Sequence, residues 1–600
     1  MSAAPRISIV TPVYNPPVAV LRAMLDSVRA QTHADWEHCL VDDGSSGAGV
    51  VDLLHEVAEG DPRFRVHLRP KRGGIVAASN DGLAMARGEF VAFCDHDDEL
   101  TVAALSAMVE HIDRHDDVDI LYSDEDKIDL KGHRSDVFIK PAWSPDRMLG
   151  QMYTGHLTLV RRSLLEEVGG FRTGFDGAQD WDLMLRLTER ARRIVHVPDV
   201  LYHWRSLEGS AASHSDAKPW AHEASARVLA DYVQRAGIQA DPTPVPGYPG
   251  HYWLRPALRD EPLVSVVIPT AGRSQVIDGT ERPLVVNCVE TLLRRSNYEH
   301  LEIVVVIDDH APDGVRDQLV AVGGDRLRLV EFTQPFNFSA KVNVGVAAST
   351  GSMLLLLNDD IEVLPPAWHP KPYNVTDPLP VWPTLEGGAL RTWIESMLVY
   401  ALQPGVGAVG AKLFFPNGKL QHSGVIAKGG LVGHTYYGAD GNQCGSWGNL
   451  IVPLNLLAVT AACLMIRRDV FDAVHGMDES LPVNYNDVDL CLRLHEAGYR
   501  NVLPPHVELL HRESASRGAA PAKPEEIAAL QERWGDLLWN DPYYDPRFVD
   551  SDYGVSREHT PLALARRIRN VYKHAGPSGV WTAVRRKVTR TLDRDGAAAP

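Results

Sequence analysis

The sequence predicts two tandem α/β domains, each with a mainly parallel sheet, followed by a helical C-terminal region. Three observations lead to this fold class. The chain has 600 residues, which is long for a single domain. Two long segments repeat one another. Short apolar runs rich in β-branched residues alternate with helical stretches, as in sheets whose two faces are both covered.

The internal repeat is the clearest of these signals. NDGLAMARGEFVAFCDHDDEL (80–100) aligns without gaps on NVGVAASTGSMLLLLNDDIEV (343–363), an offset of 343 − 80 = 263. GAQDWDLMLRL (177–187) resembles NYNDVDLCLRL (484–494), an offset of 484 − 177 = 307. An offset that changes once indicates a duplicated domain with an insertion in the second copy. The Pro- and Trp-rich segment 365–393 is the predicted insertion, a long loop.

The elements follow in the same order in both copies. Apolar runs predict strands at 7–11, 38–41 and 90–94, and again at 264–268, 302–307 and 353–357. Helical patterns lie between them, for example at 18–30 and 100–114. We therefore predict a first copy at 6–215, a linker at 216–261, a second copy at 262–520 and a helical region at 521–600.

Charge and cysteine content narrow the possible functions. The formal net charge of −18 argues against a general nucleic-acid partner. None of the six cysteines form a CxxC pair, which favours a reducing compartment and no zinc site. No signal-peptide core or membrane-length apolar run is found, so we predict a cytoplasmic chain that is soluble or peripheral to a membrane.

The last forty residues differ from the rest of the chain in charge. Residues 561–600 contain nine Lys/Arg against two Asp, a charge of 9 − 2 = +7. Apolar residues including Trp581 recur there at roughly helical spacing. Such a tail is typical of an anchor on an anionic membrane surface, here the cytoplasmic face of the inner membrane. A solvated helix or a disordered basic end remains the alternative.

Acidic residues stand directly behind the predicted strands. A single DxD triplet is usually solvated surface, but this one follows an apolar strand and recurs in the second copy. A dense group of carboxylates is mutually repulsive, and a hard divalent cation relieves the repulsion. The pattern therefore favours Mg²⁺ or Mn²⁺ carrying a diphosphate at this edge of the sheet, at Asp42-Asp43 and Asp95-x-Asp97, and at Asp308-Asp309 and Asn358-Asp359-Asp360.

Several motifs together resemble the family 2 glycosyltransferases with the GT-A fold. They are SIVTPVYN, VDDGS, the strand-end DxD and GAQDWDLMLR, over roughly residues 6–210 and again over 262–518. YSDEDKID, KPAWSPD and DPYYDP look like the tandem-domain bacterial enzymes that build O-antigen and other surface polysaccharides. The resemblance therefore implies GT-A folds and sugar transfer.

The resemblance also implies roles for individual residues. It implies nucleotide contacts for Asp42, Asp43, Asp95, Asp308, Asp309 and Asn358. It implies metal ligation by Asp97, Asp360, His203 and His511, and general-base roles for Asp180 and Asp487. Asn358 departs from the family pattern because an amide replaces the first carboxylate of the triplet. Each histidine is also open to the simpler interpretation of a packed, hydrogen-bonded side chain.

The implied activity is a metal-dependent, inverting transfer at two centres. The expected donors are UDP-, dTDP- or GDP-sugars, and the expected acceptor is a growing, lipid-linked bacterial surface glycan. A metal stabilises the leaving diphosphate, and one carboxylate base activates the acceptor hydroxyl. Two alternatives stay open: one active copy beside a structural or carbohydrate-binding copy, and a nucleotidyltransferase acting on sugar phosphates. Against the latter, TPVYNPP (11–17) lacks Lys and Arg.

Overall fold

The computed structural model describes residues 4–47, 49–206, 219–365, 392–512, 524–545 and 547. The predicted insertion at 365–393 lies almost wholly outside these ranges, and so does the whole basic tail at 561–600. No helix in the described ranges is both long and apolar enough to cross a bilayer.

The first copy is built on one sheet. Its strands are β1 (Ile7–Val13), β2 (Trp36–Asp42), β3 (Phe64–Leu68), β4 (Phe90–Phe93), β5 (Glu99–Leu100), β6 (Ile120–Ile128), β7 (Arg134–Phe138), β8 (Thr158–Arg161) and β9 (Ile194–Arg205). They lie in the order β3-β2-β1-β4-β8-β6-β9-β5, and β7 pairs with β6. Strands β3, β2, β1 and β4 are parallel, whereas β8 runs antiparallel to both of its neighbours.

Helices cover this sheet, as strand–helix alternation predicts. They are α1 (Val18–Arg29), α2 (Val50–Gly60), α3 (Ile75–Met85), α4 (Ala104–Arg114), α5 (Pro145–Met148), α6 (Arg162–Val168) and α7 (Gln179–Thr188). The predicted helix 100–114 begins late because Glu99 and Leu100 form β5, which pairs antiparallel with β9. The segment predicted as a linker contains α8 (Pro219–Arg235) and a hairpin of β10 (Ala240–Pro244) and β11 (Tyr252–Pro256).

The second copy repeats the arrangement. Its main sheet has the order β16-β15-β12-β17-β25-β19-β26-β24. The strands are β12 (Val264–Thr270), β15 (Leu301–Asp308), β16 (Leu327–Phe332), β17 (Met353–Leu357), β19 (Val406–Gly410), β24 (Leu454–Leu456), β25 (Cys463–Arg467) and β26 (Arg500–Leu503). As in the first copy, β12 lies parallel to both neighbours and β25 runs antiparallel to β17. The predicted fold class is thereby confirmed.

The second copy also carries smaller sheets and its own helices. The additional strands are β13 (Ser274–Ile277), β14 (Thr280–Pro283), β18 (Ile361–Val363), β20 (Lys412–Phe414), β21 (Leu420–His422), β22 (Val425–Lys428), β23 (Leu431–His434) and β27 (Glu508–His511). The helices are α9 (Leu284–Arg295), α10 (Val315–Gly323), α11 (Phe338–Ala347), α12 (Trp393–Ala401), α13 (Arg468–Ala473), α14 (Asn486–Glu496) and α15 (Pro524–Trp539). Helix α15 lies in the predicted helical C-terminal region and buries Leu530, Trp534 and Leu538.

Helices α3 and α11 occupy equivalent places in the two copies, in the same rotation about their axes. A Cβ on Gly82 of α3 would lie 2.5 Å from Val10 Cγ1, and a Cβ on Gly345 of α11 would lie 2.4 Å from Val267 Cγ1. Only glycine permits so close an approach of helix to strand. Asn80 of α3 and Asn343 of α11 also make matching hydrogen bonds, to the backbone of Phe171 and Met477 respectively. The repeat therefore extends to individual side chains.

The two copies pack against each other through a polar cluster and an aromatic pair. Arg500 Nε lies 2.6 Å from the buried Asp146 Oδ2, to which Asn455 Nδ2 also donates, at 2.7 Å. Phe138 stacks on Trp447 with ring centroids 4.4 Å apart. One apolar core contains residues of both copies, which joins their sheets into a common interior.

Candidate active site

The carboxyl ends of β1, β2 and β4 meet at one edge of the first sheet. These strands are parallel neighbours, so the residues that follow them lie close together. Asp42 is the last residue of β2, and Asp95, Asp97 and Asp98 follow β4 within five residues of its end. The acidic strand ends singled out by the sequence therefore share one edge.

Asp42 is buried at the end of β2, and only one of its two carboxylate oxygens accepts hydrogen bonds from the described residues. Its Oδ2 accepts hydrogen bonds from the backbone N–H groups of Gly44, at 3.1 Å, and Ser45, at 3.0 Å. Its Oδ1 is buried and has no hydrogen-bond partner among the residues that the structure describes. A buried acceptor without a partner is costly, so this oxygen suits a donated N–H group of a ligand.

Asp43 instead organises the loop before α3. Its two oxygens accept hydrogen bonds from the backbone N–H groups of Gly73 and Gly74, each at 2.8 Å. Arg69 lies on the same carboxylate, 3.4 Å from Oδ1. The carboxylate is thus occupied by the protein itself, and its predicted nucleotide contact stays a prediction.

A group of potential metal ligands lies behind β4. Ligand atoms of Asp95, Asp98 and His156 all lie within 4.8 Å of one another. The side chain of Asp95 is 45% exposed, and His156 Nε2 is 3.8 Å from its Oδ2. His156 is held in place by stacking on Tyr202, with centroids 4.6 Å apart. Tyr202 also donates its hydroxyl to Asp98 Oδ2 at 2.5 Å.

The acidic residues of this group repel one another. Burial raises the pKa of Asp98 well above its usual range, and the charges of Asp95 and Asp97 add to that rise. The pKa of Asp97 is also raised, first by burial, although the charge of His96 opposes the shift. Partly buried carboxylates so close together are the environment that a divalent cation stabilises.

Asp180 lies beside this group, at the start of α7. Its Oδ1 accepts a hydrogen bond from Trp181 N at 2.8 Å. Burial against protein atoms raises the pKa of the Asp180 carboxyl. The charge of His156 lowers this pKa, and the charge of Asp95 raises it. The residue nevertheless keeps a solvent-exposed surface. The structure thus brings the predicted base to the same place as Asp95 and His156.

Two predicted ligands of the first copy have other contacts. The main-chain carbonyl of Asp97 accepts from Arg205 Nε at 2.7 Å. His203 Nδ1 lies 2.5 Å from Asp126 Oδ1, and Arg134 contacts the same ring. Neither residue belongs to the group formed by Asp95, Asp98 and His156. Metal ligation by Asp97 and His203 therefore stays a prediction.

The second copy places different groups at the corresponding strand end. Asp308 ends β15 and is buried, and Lys341 Nζ lies 2.5 Å from its Oδ1. Lys341 also donates to the carbonyl of Thr270 at 3.1 Å. Asp309 points to solvent, with a side chain that is 48% exposed and bound to His310 Nδ1 at 2.9 Å. The predicted nucleotide-contacting pair is thus split between an internal ion pair and the surface.

The triplet of the second copy brings Asp360 and His511 together. His511 Nε2 lies 3.0 Å from Asp360 Oδ1. Thr270 Oγ1 donates to Asp359 Oδ2 at 2.6 Å, and burial raises the pKa of Asp359 to about 7, with the charge of Asp360 adding to the rise. The side-chain Oδ1 of Asn358 is buried without a hydrogen-bond partner in the described ranges.

Asp487, the predicted base of the second copy, occupies the same kind of position as Asp180. It lies in the first turn of α14, and its Oδ1 accepts from Val488 N at 2.9 Å. Its Oδ2 accepts from Ala461 N at 3.1 Å. Both predicted bases therefore bond to the backbone at the start of an equivalent helix.

Sequence reasoning missed four residues of these sites. Asp98 stands in the same acidic run as Asp95, and Tyr202 stands immediately before His203, so adjacency could have indicated both. Lys341 aligns with Ala78 at the offset of 263, which could have revealed a charge unique to the second copy. His156 has no signal in the sequence, because its place depends on β8 lying next to β4.

A family match in each copy agrees with the duplication. The model of the family described as "Glycosyl transferase family 2" matches residues 8–169 and 265–371, one segment in each copy. Among solved structures, S. aureus TarS 1–349 in complex with UDP-GlcNAc is 21% identical with a TM-score of 0.31, covering 38% of this chain and 72% of that one.

Two curated relatives align with nearly the whole chain. "Uncharacterized protein y4gI" of Sinorhizobium fredii is 40% identical over 91% of this chain and 58% of its own length. "O-antigen biosynthesis protein RfbC" of Myxococcus xanthus is 36% identical over 93% of this chain and 41% of its own length. This chain therefore spans about half the length of these relatives. From the family match in both copies, together with the repeated sheet, we conclude that the chain belongs to glycosyl transferase family 2.

Proposed function

We propose that this chain is a metal-dependent, inverting glycosyltransferase that moves sugars from nucleotide-sugar donors onto a bacterial surface glycan. The observation that carries the proposal is the meeting of Asp180, Asp95, Asp98 and His156 at the strand edge that also bears Asp42. A base, a metal-binding group and a nucleotide acceptor at one edge are the three parts that sugar transfer from a nucleoside diphosphate needs.

Asp42 and the neighbouring loop suit the nucleotide end of the donor. The buried Oδ1 of Asp42 accepts from no described residue and suits a base N–H group. Arg72 lies over the ring of Tyr14, 4.2 Å from its centroid, which places a cation and an aromatic face beside this strand edge. Such a pair suits a diphosphate and a stacked base. UDP-, dTDP- and GDP-sugars are the donors to test.

Asp95, Asp98 and His156 suit a divalent cation, Mn²⁺ or Mg²⁺. The raised pKa values of Asp97 and Asp98 support this, because buried carboxylates that raise one another's pKa are stabilised by a divalent cation. Asp97 and His203 are further proposed ligands. When bound, the ion would supply Lewis-acid stabilisation of the leaving diphosphate.

Asp180 is the proposed general base. Its exposed surface can meet an acceptor hydroxyl, and the helix start and the nearby His156 favour its ionised form. Crowding raises the pKa of this carboxyl, which makes it a stronger base once it is ionised. Attack opposite the leaving group, with a single carboxylate as base, inverts the anomeric centre.

We further propose a second centre in the second copy, acting on the same glycan. Asp487 keeps the helix-start contact of Asp180, and Asp360 and His511 lie in contact as a proposed metal pair. The name of the Myxococcus relative supports an O-antigen type of surface glycan. A lipid-linked acceptor at the cytoplasmic face of the inner membrane would suit the basic tail at 561–600.

The test is nucleotide release by the purified full chain. With Mn²⁺, UDP-, dTDP- and GDP-sugars are incubated with and without a glycan acceptor, and free nucleoside diphosphate is measured. We expect acceptor-stimulated release with at least one donor, lost on chelation with EDTA. Release of pyrophosphate from a nucleoside triphosphate and a sugar phosphate would instead identify a nucleotidyltransferase. Absence of both reactions would overturn the proposal.

A further inference from the structure

We infer that the buried ion pair of Glu125 and Lys140 positions His156 within the proposed metal-binding group of the first copy. The inference rests on the proposed function, in which His156, Asp95 and Asp98 share a divalent cation. It adds the two residues that place the imidazole. Glu125 and Lys140 act through the main chain of His156, so they are positioning residues and not ligands.

Both members of the pair bind the main chain of His156. Glu125 Oε2 accepts a hydrogen bond from His156 N at 2.8 Å, and Lys140 Nζ donates to His156 O at 2.7 Å. The two side-chain atoms lie 3.0 Å apart, and Lys140 Nζ also donates to Thr154 O at 2.6 Å. Only 0% of the Lys140 side chain and 11% of the Glu125 side chain are exposed, so water competes little for these contacts. The peptide groups before and after His156 are therefore both fixed.

The residue before His156 fits this arrangement. Gly155 has a φ of +43°, in the region that favours glycine, and a Cβ there would lie 2.7 Å from Glu125 Oε2. A larger residue at this position would displace the carboxylate from the His156 N–H group. A glycine therefore stands where the close approach of Glu125 requires one.

The segment that carries Lys140 is itself bound by distant parts of the chain. Lys140 N donates to Asp124 Oδ1 at 2.9 Å, and Arg547 donates to the other oxygen of Asp124 at 2.5 Å. Ala142 N donates to Pro542 O at 2.9 Å. Three motifs of the sequence thus meet beside the ion pair: YSDEDKID, KPAWSPD and DPYYDP.

The second copy shows which residues stand in the corresponding places. Three residues on adjacent strands are paired in the same register in each copy. They are Leu100, Tyr202 and Glu125 in the first copy, and Val363, Leu509 and Leu413 in the second. Leu413 therefore replaces Glu125, and Leu509 replaces Tyr202, the ring that stacks on His156.

The histidine is also absent from the second copy. The pairings of β4 with β8 and of β17 with β25 place Ala462 where the first copy has His156. The imidazole, the carboxylate that binds its N–H group and the ring that stacks on it are thus all replaced by apolar residues. Because both copies share the fold, their joint absence indicates that Glu125 serves His156 and not the sheet.

The test is Mn²⁺ binding by the full chain, with and without UDP, measured from the electron paramagnetic resonance signal of free Mn²⁺. Glu125→Leu combined with Lys140→Met removes both charges together, so no buried charge is left unpaired. We expect the Mn²⁺ site that Asp98→Asn weakens to bind about 10- to 100-fold more weakly in this double variant, as when outer partners of metal ligands are lost. Thermal unfolding shows whether the variant is folded.

The matched control is a buried ion pair of the second copy. Lys412 Nζ lies 2.6 Å from Glu508 Oε1, and 1% and 14% of the two side chains are exposed. Lys412→Met combined with Glu508→Leu makes the same chemical change away from His156. It should leave the Mn²⁺ affinity of the first copy unchanged.

A mutant cycle separates positioning from a general structural effect. His156→Ala, which copies Ala462, should itself weaken the Mn²⁺ site. The double change at Glu125 and Lys140 should weaken the site no further in that background, because a positioning effect is lost together with the residue that is positioned.

Several results would overturn the inference. They are wild-type Mn²⁺ affinity in the folded double variant, an equal further loss in the His156→Ala background, and unchanged affinity in His156→Ala alone; each leaves a metal-dependent function intact. If the double variant does not fold, Glu125→Gln, which keeps an acceptor but loses the charge, is judged by the same criteria with a smaller expected loss. Absence of Mn²⁺ binding by the wild type would instead remove the metal-dependent function, and the inference with it.

Discussion

The two copies share one sheet topology yet balance the charges at their strand ends in opposite ways. The pairing of β4 with β8 and of β17 with β25 aligns Phe90 with Met353 and Arg161 with Arg467. In this register Asp95, Asp98 and His156 of the first copy correspond to Asn358, Ile361 and Ala462 of the second. The proposed metal-binding group of the first copy is thus replaced by an amide and two apolar residues.

The second copy instead pairs two of its carboxylates with side chains of its own. Lys341 pairs with Asp308, and His511 pairs with Asp360. In the first copy, Asp42 Oδ1 has no hydrogen-bond partner among the described residues, and the pKa values of Asp97 and Asp98 are raised. A shared backbone therefore does not fix the contacts of the strand-end carboxylates: Asp308 and Asp360 have side-chain partners in the second copy, whereas Asp359 there keeps a raised pKa.

The largest expected effect separates the two proposed bases. Asp180→Asn should lower the sugar transfer of the first copy by about 10²- to 10⁴-fold, because the acceptor hydroxyl loses its base while an amide preserves the helix-start hydrogen bond. Asp487→Asn is the matched variant of the second copy. Mass spectrometry of the glycan product should show a different missing step in each variant. If either variant yields the complete wild-type product, its copy is structural.

Metal binding gives the next largest contrast. Mn²⁺ at about one hundred times its dissociation constant should stabilise the wild type by ~2.7 kcal/mol, measured as a rise in Tm. Asp98→Asn should abolish most of that rise, because it removes a carboxylate from the Asp95–Asp98–His156 group. Asp360→Asn is the comparison variant in the triplet of the second copy, where Ile361 stands in the place of Asp98, and it should have the smaller effect, since His511 already contacts Asp360. Equal losses in both variants would contradict the asymmetry.

Much of this comparison could be predicted from the sequence, because the duplicated domain repeats the same pattern twice. Apolar runs ending in aspartates appear twice in the same order, so both sheets and the strand-end positions of Asp42 and Asp308 could be predicted. The residues that contact these aspartates could not be predicted, because they belong to strands and helices far apart in the chain. His156 reaches Asp95 only through the antiparallel β4–β8 pairing, and Lys341 reaches Asp308 only through the packing of α11 on β15.

A third prediction asks whether the two copies unfold as one unit. Asp146→Ala leaves Arg500, with 22% of its side chain exposed, without its buried partner. We expect a loss of ~2–3 kcal/mol in stability, below the range for fully buried pairs because Arg500 stays partly hydrated. Asp241→Ala breaks the exposed pair with Arg255 and is the control, expected to cost about 0.5 kcal/mol or less. A single calorimetric transition lowered in temperature supports joint unfolding, whereas one unchanged transition beside one lowered transition supports independent copies.

The smallest expected effect concerns a carboxylate of the second copy that lies outside the site. Glu395, in the first turn of α12, has a buried Oε2 with no hydrogen-bond partner in the described ranges. Burial raises its pKa from 4.5 to about 7, and the charge of Glu261 adds to the rise. The equivalent helix of the first copy, α4, buries only apolar residues, Ala104, Leu105, Met108 and Ile112.

The raised pKa of Glu395 fixes the direction of its pH effect. The protonated carboxyl is favoured in the folded chain, so its contribution is complete below pH 4.5 and is lost as pH rises through about 7. Glu395→Gln is neutral throughout and escapes that loss. Because the side chain is partly hydrated, we expect the stability of the variant to gain on the wild type by only ~1–2 kcal/mol between pH 5 and 8. Urea unfolding at both pH values measures this, and Glu261→Gln should reproduce a small part of it. If the difference in unfolding free energy between variant and wild type stays constant with pH, the pKa of Glu395 is not raised in the folded chain. This contrast between the two copies would then not exist.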